Sequence, residues 1–166
     1  MQKEDSAFRR PLEFALRHAL AHLENLDGLP VAATASLETL RSRLGTALTD
    51  DGLDAEQVIT DLVQNVAGGI VGSAGGRFFG WVVGGLLPAA LAADWLTAAW
   101  DQNAGIYVSG PAAAVVEEVA GGWLKEILGL PAGASFALVT GCQMAHATCL
   151  AAARHALLAR TGWDVE

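Results

Sequence analysis

The sequence predicts an α/β chain that is mostly helical. Three observations carry that reading. Apolar residues recur at helical spacing through most of the chain, Gly and Pro clusters separate these stretches, and one short apolar run, Phe136 to Val139, breaks at Gly141 into an alanine-rich helix. A strand that turns into a helix in this way aims free backbone N–H groups at one point, which is the geometry of an anion seat.

The elements follow in order. Phe8, Leu12, Leu16, Ala19, Leu20 and Leu23 mark an amphipathic helix from near residue 7 to 25, with Pro11 tolerated in its first turn. An extended Leu29-Pro30 link leads to a second helix, marked by Leu37, Leu40, Leu44 and Leu48 and capped by Thr34 or Ser36. Asp54 followed by Gln57 resembles a capping box, and Val58, Ile59, Leu62, Val63 and Val66 form the stripe of a third helix. A glycine-rich passage from Gly68 to Gly76 follows. Phe78 to Ala93 carries no charge, but Gly80, Gly84, Gly85 and Pro88 interrupt it and it falls short of the ~20 residues of a membrane span. It reads as a buried glycine-rich loop entering a helix. Pro88 can open that helix, and Ala89 through about Asn103 continue it as an almost wholly apolar one. Pro111 opens another, with Val115, Val116, Val119, Trp123, Leu124, Ile127 and Leu128 inward and Glu117, Glu118 and Lys125 outward, ended by Gly129-Leu130-Pro131.

Composition narrows the function. A chain of 166 residues suits one domain and can bury a core, and 52% hydrophobic against 17% charged residues favours large buried interfaces over a free-standing monomer. A net charge of −8, a pI near 4.8 and scattered Lys and Arg argue against nucleic-acid binding. No apolar run follows a basic patch at the start, so the expectation is a cytoplasmic protein without a signal peptide, and no membrane partner is expected. His18 and His22 have the spacing of zinc ligands, but position 19 is Ala and no third ligand is evident, so no metal is expected and a solvated helix face is read instead. Neither a G-x-S-x-G elbow nor a G-x-x-x-x-G-K-[ST] loop occurs, which weakens hydrolase and nucleotide-binding readings. Cys142 and Cys149, seven apart, read as small buried residues, and His146 as a packing residue. Asp94, Asp101, Gln102 and Asn103, on or at the end of an apolar helix, are read as fixing neighbouring loops by hydrogen bonds.

Five blocks are more specific than this physics. Gly76-Arg-Phe-Phe-Gly-Trp-Val82, Pro88-Ala-Ala-Leu-Ala-Ala-Asp-Trp-Leu96, Asp101-Gln-Asn103, Pro111-Ala-Ala-Ala-Val-Val-Glu-Glu118 and Thr140-Gly-Cys-Gln-Met-Ala-His146 occur in that order and with consistent spacing. Together they resemble the N-terminal part of the pyridoxal-phosphate-dependent group II amino-acid decarboxylases, the family of aromatic-L-amino-acid and glutamate decarboxylases. The resemblance is best from about Leu29 to Glu166 and covers the first helix loosely.

The resemblance implies a fold-type-I (aspartate-aminotransferase-like) enzyme, a homodimer with active sites at the subunit interface. Residues 1–75 would be its N-terminal helical segment, and residues 76–166 the start of its large cofactor-binding domain. Pyridoxal 5′-phosphate would be the cofactor, its phosphate held by the backbone amides of Gln143 and Met144, with Gly141 and Cys142 shaping the turn. The substrate, an amino acid, would meet Phe79, Trp81, Val82 and Gly84. The sequence departs from the aromatic-amino-acid enzymes at Gly75-Gly76 and Val83, where they carry His-Pro or Ser-Pro before the paired aromatics and a proline after them. Gln143-Met144 likewise replaces a small residue and a hydroxyl. Decarboxylation on this cofactor needs a lysine, a carboxylate on the pyridine nitrogen and usually a stacked ring. In the family all three lie downstream of the phosphate turn, beyond Glu166, and the lysines here, Lys3 and Lys125, match none of them. No catalytic residue is therefore assigned, and the expectation is the truncated N-terminal portion of a carboxy-lyase, inactive by itself. The alternative reading is a non-enzymatic helical interaction or remnant protein.

Overall fold

Ser36 and Asp54 show how local chemistry starts the helices. In the computed structural model, which describes residues 7–48 and 50–164, the order is α1 Arg9–Glu24, α2 Leu37–Leu44, α3 Ala55–Asn65, α4 Pro88–Trp100, α5 Pro111–Ile127 and α6 Gly141–Ala159. Ser36, rather than Thr34, caps α2: its hydroxyl accepts from the Thr39 amide at 3.1 Å. Leu48 of the expected stripe lies beyond that helix. Asp54 accepts from the Glu56 amide at 2.9 Å at the start of α3, but Gln57 donates to Asp61 Oδ1 at 2.7 Å, so the box is not closed reciprocally. Ser36→Ala is expected to cost about 1 kcal/mol of helix stability. Urea unfolding followed by far-ultraviolet circular dichroism would show this as a lowered midpoint.

The chain divides into two compact units, Met1–Ala93 and Asp94–Glu166. In the first, α1 and α2 both pack on α3. Arg10 pairs with Glu56 at 2.5 Å, and Arg43 donates to the Ala67 carbonyl at 3.1 Å. The Gly68 carbonyl accepts from both Thr34 N (2.8 Å) and Ala35 N (2.9 Å), and Arg77 donates to the Leu29 carbonyl at 2.6 Å. The glycine-rich passage is thereby tied back to the link ahead of α2.

In the second unit, α4 stops at Trp100, three residues before the expected Asn103, because Asp101 adopts a left-handed conformation with φ 47°. Gln102 donates to the Trp100 carbonyl at 2.9 Å and Asn103 Oδ1 accepts from the Gly105 amide at 3.0 Å, so these side chains do fix the loop that follows. The end of α5 is a Schellman motif. Gly129, at φ 64°, donates to Glu126, and Leu130 donates to Lys125. Gly162 and Trp163 close α6 in the same way on Ala159 and Leu158.

Six expectations need correction. The strand over Phe136 to Val139 does not form, since a strand must pair its backbone with a neighbour and none of the described residues offers one. No hydrophobic side chain among the described residues is buried, although the length allows a core; the buried residues are Gly72, Gly110 and Gly121. The stripe of α5 expected to face inward is exposed, as are the loop from Phe79 to Leu87, His146, Cys142 and Cys149. For the α5 stripe, His146, Cys142 and Cys149 the cause is shared: among the described residues no other helix packs on α5 or α6.

Candidate functional site

Gly141 sets the geometry of the expected phosphate turn. Its φ is 74°, and no atom lies within 4 Å of where a Cβ would stand, so backbone conformation and not crowding calls for glycine there. The Gly141 N–H turns back to the Val139 carbonyl at 2.9 Å. An incoming anion is therefore left the amides that follow, since the first amides of a helix lack an intrahelical acceptor. The Thr140 side chain does not cap α6, and the first turn holds no acidic residue. Cys142, Gln143 and Met144 lie together on that turn and are exposed. An open, uncapped helix start without a carboxylate suits a phosphate, so this chain's residues fit the group.

Phe79, Trp81, Val82 and Gly84 lie in the loop before α4, within the first compact unit, whereas Gly141 to Met144 belong to the second. Phe79 is 93% exposed and Trp81 89%, and Val82 is fully exposed. A Cβ on Gly84 would meet no atom within 4 Å. Trp81 has φ 54°, a conformation that costs a bulky residue about 1–3 kcal/mol. Its ring lies 6.3 Å from that of Phe78 at a tilt of 47°. Strain of this kind persists where surroundings or function impose it.

Lys125 is not directed outward into solvent. Its Nζ donates to the Ala132 carbonyl at 3.1 Å and the Ala134 carbonyl at 3.0 Å, holding the chain that leaves α5. Lys3 lies outside the described residues. His18 is exposed and His22 half-buried. With Ala15, Ala19, Ile59 and Leu62 they line an apolar cleft of about 610 Å³ between α1 and α3, and the His18 ring lies 4.5 Å from that of Phe14. Among the described residues no group of three His, Cys, Asp or Glu side chains could hold a metal, and no helix is long and apolar enough to cross a membrane.

Sequence reasoning missed Gly121 and Phe136. Gly121 is buried because the Phe136 ring lies against it, where a Cβ would overlap the ring. The signal was the Gly121-Gly122 pair in a helix interior, where each glycine costs roughly 1 kcal/mol relative to alanine and so points to a packing reason.

Residues 38–162 match the pyridoxal-dependent decarboxylase conserved domain, and this stretch includes both the Phe79 loop and the Gly141 turn. The match covers more than half of the chain, which therefore belongs to the pyridoxal-phosphate-dependent group II decarboxylases, a family of carboxy-lyases whose cofactor is pyridoxal phosphate. An aromatic-L-amino-acid decarboxylase of Bacillus atrophaeus is 29% identical over 137 residues, covering 82% of this chain and 28% of that relative. The matched part is thus little more than a quarter of the relative's length.

Proposed function

We propose that this chain supplies the phosphate seat and part of the substrate wall of a fold-type-I amino-acid decarboxylase, with residues 76–166 opening the α/β cofactor-binding domain. The observation that carries this reading is the Gly141 turn: a left-handed glycine starts an uncapped, acid-free helix inside the region matched by the family. The amides of Gln143 and Met144 hold the phosphate, with Gly141 and Cys142 shaping the turn. The dipole of α6 adds about 0.3–1 kcal/mol where the site is exposed and more where water is excluded. Phe79, Trp81 and Val82 offer apolar surface to the substrate side chain, and Gly84 leaves room beside them. Pyridoxal phosphate, when bound, supplies an electron sink for the pair released as the α-carboxylate leaves as carbon dioxide.

The chain by itself is inactive in this reading. Lys125 is committed to two carbonyls, and Lys3 lies outside the region matched by the family. Incubation with pyridoxal phosphate followed by borohydride reduction is expected to leave no stoichiometric lysine adduct, and no carbon dioxide should form from amino acids. Stoichiometric labelling of Lys125 together with turnover would overturn the proposal.

The exposed apolar surface supports a homodimer built around further polypeptide of the same enzyme. Trp95, Leu96 and Trp100 on α4, Val116, Trp123 and Ile127 on α5 and Leu150 and Leu157 on α6 are exposed and offer the apolar surface such contacts bury. The same exposure favours a second reading, a non-enzymatic interaction protein that docks on a longer homologue. Size measurements with and without pyridoxal phosphate separate the two, since an apo-oligomer indifferent to the cofactor would support the second. A cytoplasmic location is part of the first reading.

A further inference from the structure

Among the described residues no other helix packs on α6, whose first residue is Gly141. Among the described residues α5 and α6 do not pack on one another, so the placement of the start of α6 relative to α5 depends on the connecting segment, residues 128–140. Three ties fix that segment. The Schellman motif at Gly129 fixes its departure from α5, with Leu130 N donating to the Lys125 carbonyl at 2.9 Å. One turn of chain later, Lys125 Nζ reaches across to the carbonyls of Ala132 and Ala134, while Ala134 N bonds Pro131 O at 2.9 Å. The Phe136 ring then lies against the bare backbone of Gly121, at a spot that no other residue type leaves open. From Phe136 only four residues remain before Gly141.

We infer that Gly121, Lys125 and Phe136 are positioning residues for the phosphate turn: they anchor the segment that carries Gly141 onto α5, and so aim the first amides of α6. This inference rests on the reading of that turn as the phosphate seat. None of the three touches the phosphate in this account. They act through the placement of the turn. Lys125 is accordingly a structural cation, its ammonium turned to carbonyl oxygens near the C-terminus of α5, where a positive charge is also favoured by the helix dipole.

Gly121→Ala separates positioning from stability. Alanine is the better helix former, so α5 by itself gains, while the added methyl group displaces the Phe136 ring. The test uses the whole 166-residue chain and titrates pyridoxal 5′-phosphate and unphosphorylated pyridoxal in parallel, reading the ratio of their dissociation constants. Gly121→Ala is expected to lower the phosphate preference about tenfold with helix content undiminished, a smaller loss than the ~10²-fold that a 1 Å misplacement can cost where geometry sets a reaction rate. Lys125→Met should lower it comparably, and Lys125→Arg, which keeps a donor, should restore most of it. Phe136→Ala should lower it too, and adding Gly121→Ala to Phe136→Ala should change little further, because the contact is already gone. A Gly121→Ala chain with the wild-type preference would overturn the inference, as would additive losses in the double variant. A wild-type chain that binds both forms equally would overturn the phosphate-seat reading itself and this inference with it, and that failure is seen before any variant is made.

Discussion

Gly141→Val should abolish most of the chain's preference for the phosphorylated form of pyridoxal. The residue has φ 74°, and an L-residue pays roughly 1–2 kcal/mol in the left-handed region, a β-branched one more. Crowding plays no part, because a Cβ at Gly141 has open space around it. The substitution therefore acts by rotating the backbone out of the left-handed well. That rotation turns the Gly141 N–H away from the Val139 carbonyl and re-aims the amides of Cys142, Gln143 and Met144. A conformational cost of 1–2 kcal/mol corresponds to a factor of about 5–30 in the binding equilibrium. Gly141→Asn offers the control, since asparagine visits the left-handed region far more readily, and it should retain most of the preference. Parallel titration with pyridoxal phosphate and pyridoxal measures both. Equal losses for Val and Asn would show that side-chain size, and not backbone conformation, is what the turn rejects.

Gly68→Val should strongly destabilise the first unit. Gly68 has φ 79°, and a Cβ there would stand 2.8 Å from Thr34 Oγ1 and 3.2 Å from Ala35 Cβ. Backbone strain and overlap therefore act together, where at Gly141 only strain does. Gly68 also accepts the amides of Thr34 and Ala35, the bonds that tie the end of α3 to the entry of α2. Displacing it loosens both. The expected cost is about 2–4 kcal/mol, from left-handed strain plus overpacking. Urea unfolding of the whole chain, followed by circular dichroism, should show a much lower midpoint for Gly68→Val. Gly76→Val, at a glycine with no neighbour within 4 Å, should leave it almost unchanged. Similar midpoints for the two variants would contradict this account of the Gly68 junction.

The helices were legible because local chemistry writes them. Ser36 and Asp54 cap, Pro88 and Pro111 open, and Gly129 closes, each through an interaction within a few residues of itself. The family was legible because its blocks are local as well, from Gly76 to Val82 and from Thr140 to His146. What was not legible depends on partners. Whether Val115 or Trp123 is buried is settled by what lies against α5, and apolar periodicity shows only that a helix has a face to cover. The strand at Phe136 to Val139 is the same case, since a run of apolar residues becomes a strand only beside another. The Lys125 and Gly121 contacts were hidden for a different reason: a lysine at an outward helical position and a glycine pair do not say which later residue comes back to meet them. Only the return of the chain at Ala132, Ala134 and Phe136 makes those assignments.

The central proposal is that the first turn of α6 holds the cofactor phosphate, and amide-resolved NMR of the ¹⁵N-labelled chain tests it most directly. On titration with pyridoxal phosphate, the largest amide shifts should fall on Gly141, Cys142, Gln143 and Met144, should be reproduced in direction by inorganic phosphate, and should vanish in Gly141→Val. Shifts that concentrate elsewhere, for example on Ala15, His18 and His22 in the cleft between α1 and α3, while residues 141–144 stay unmoved, would contradict the account.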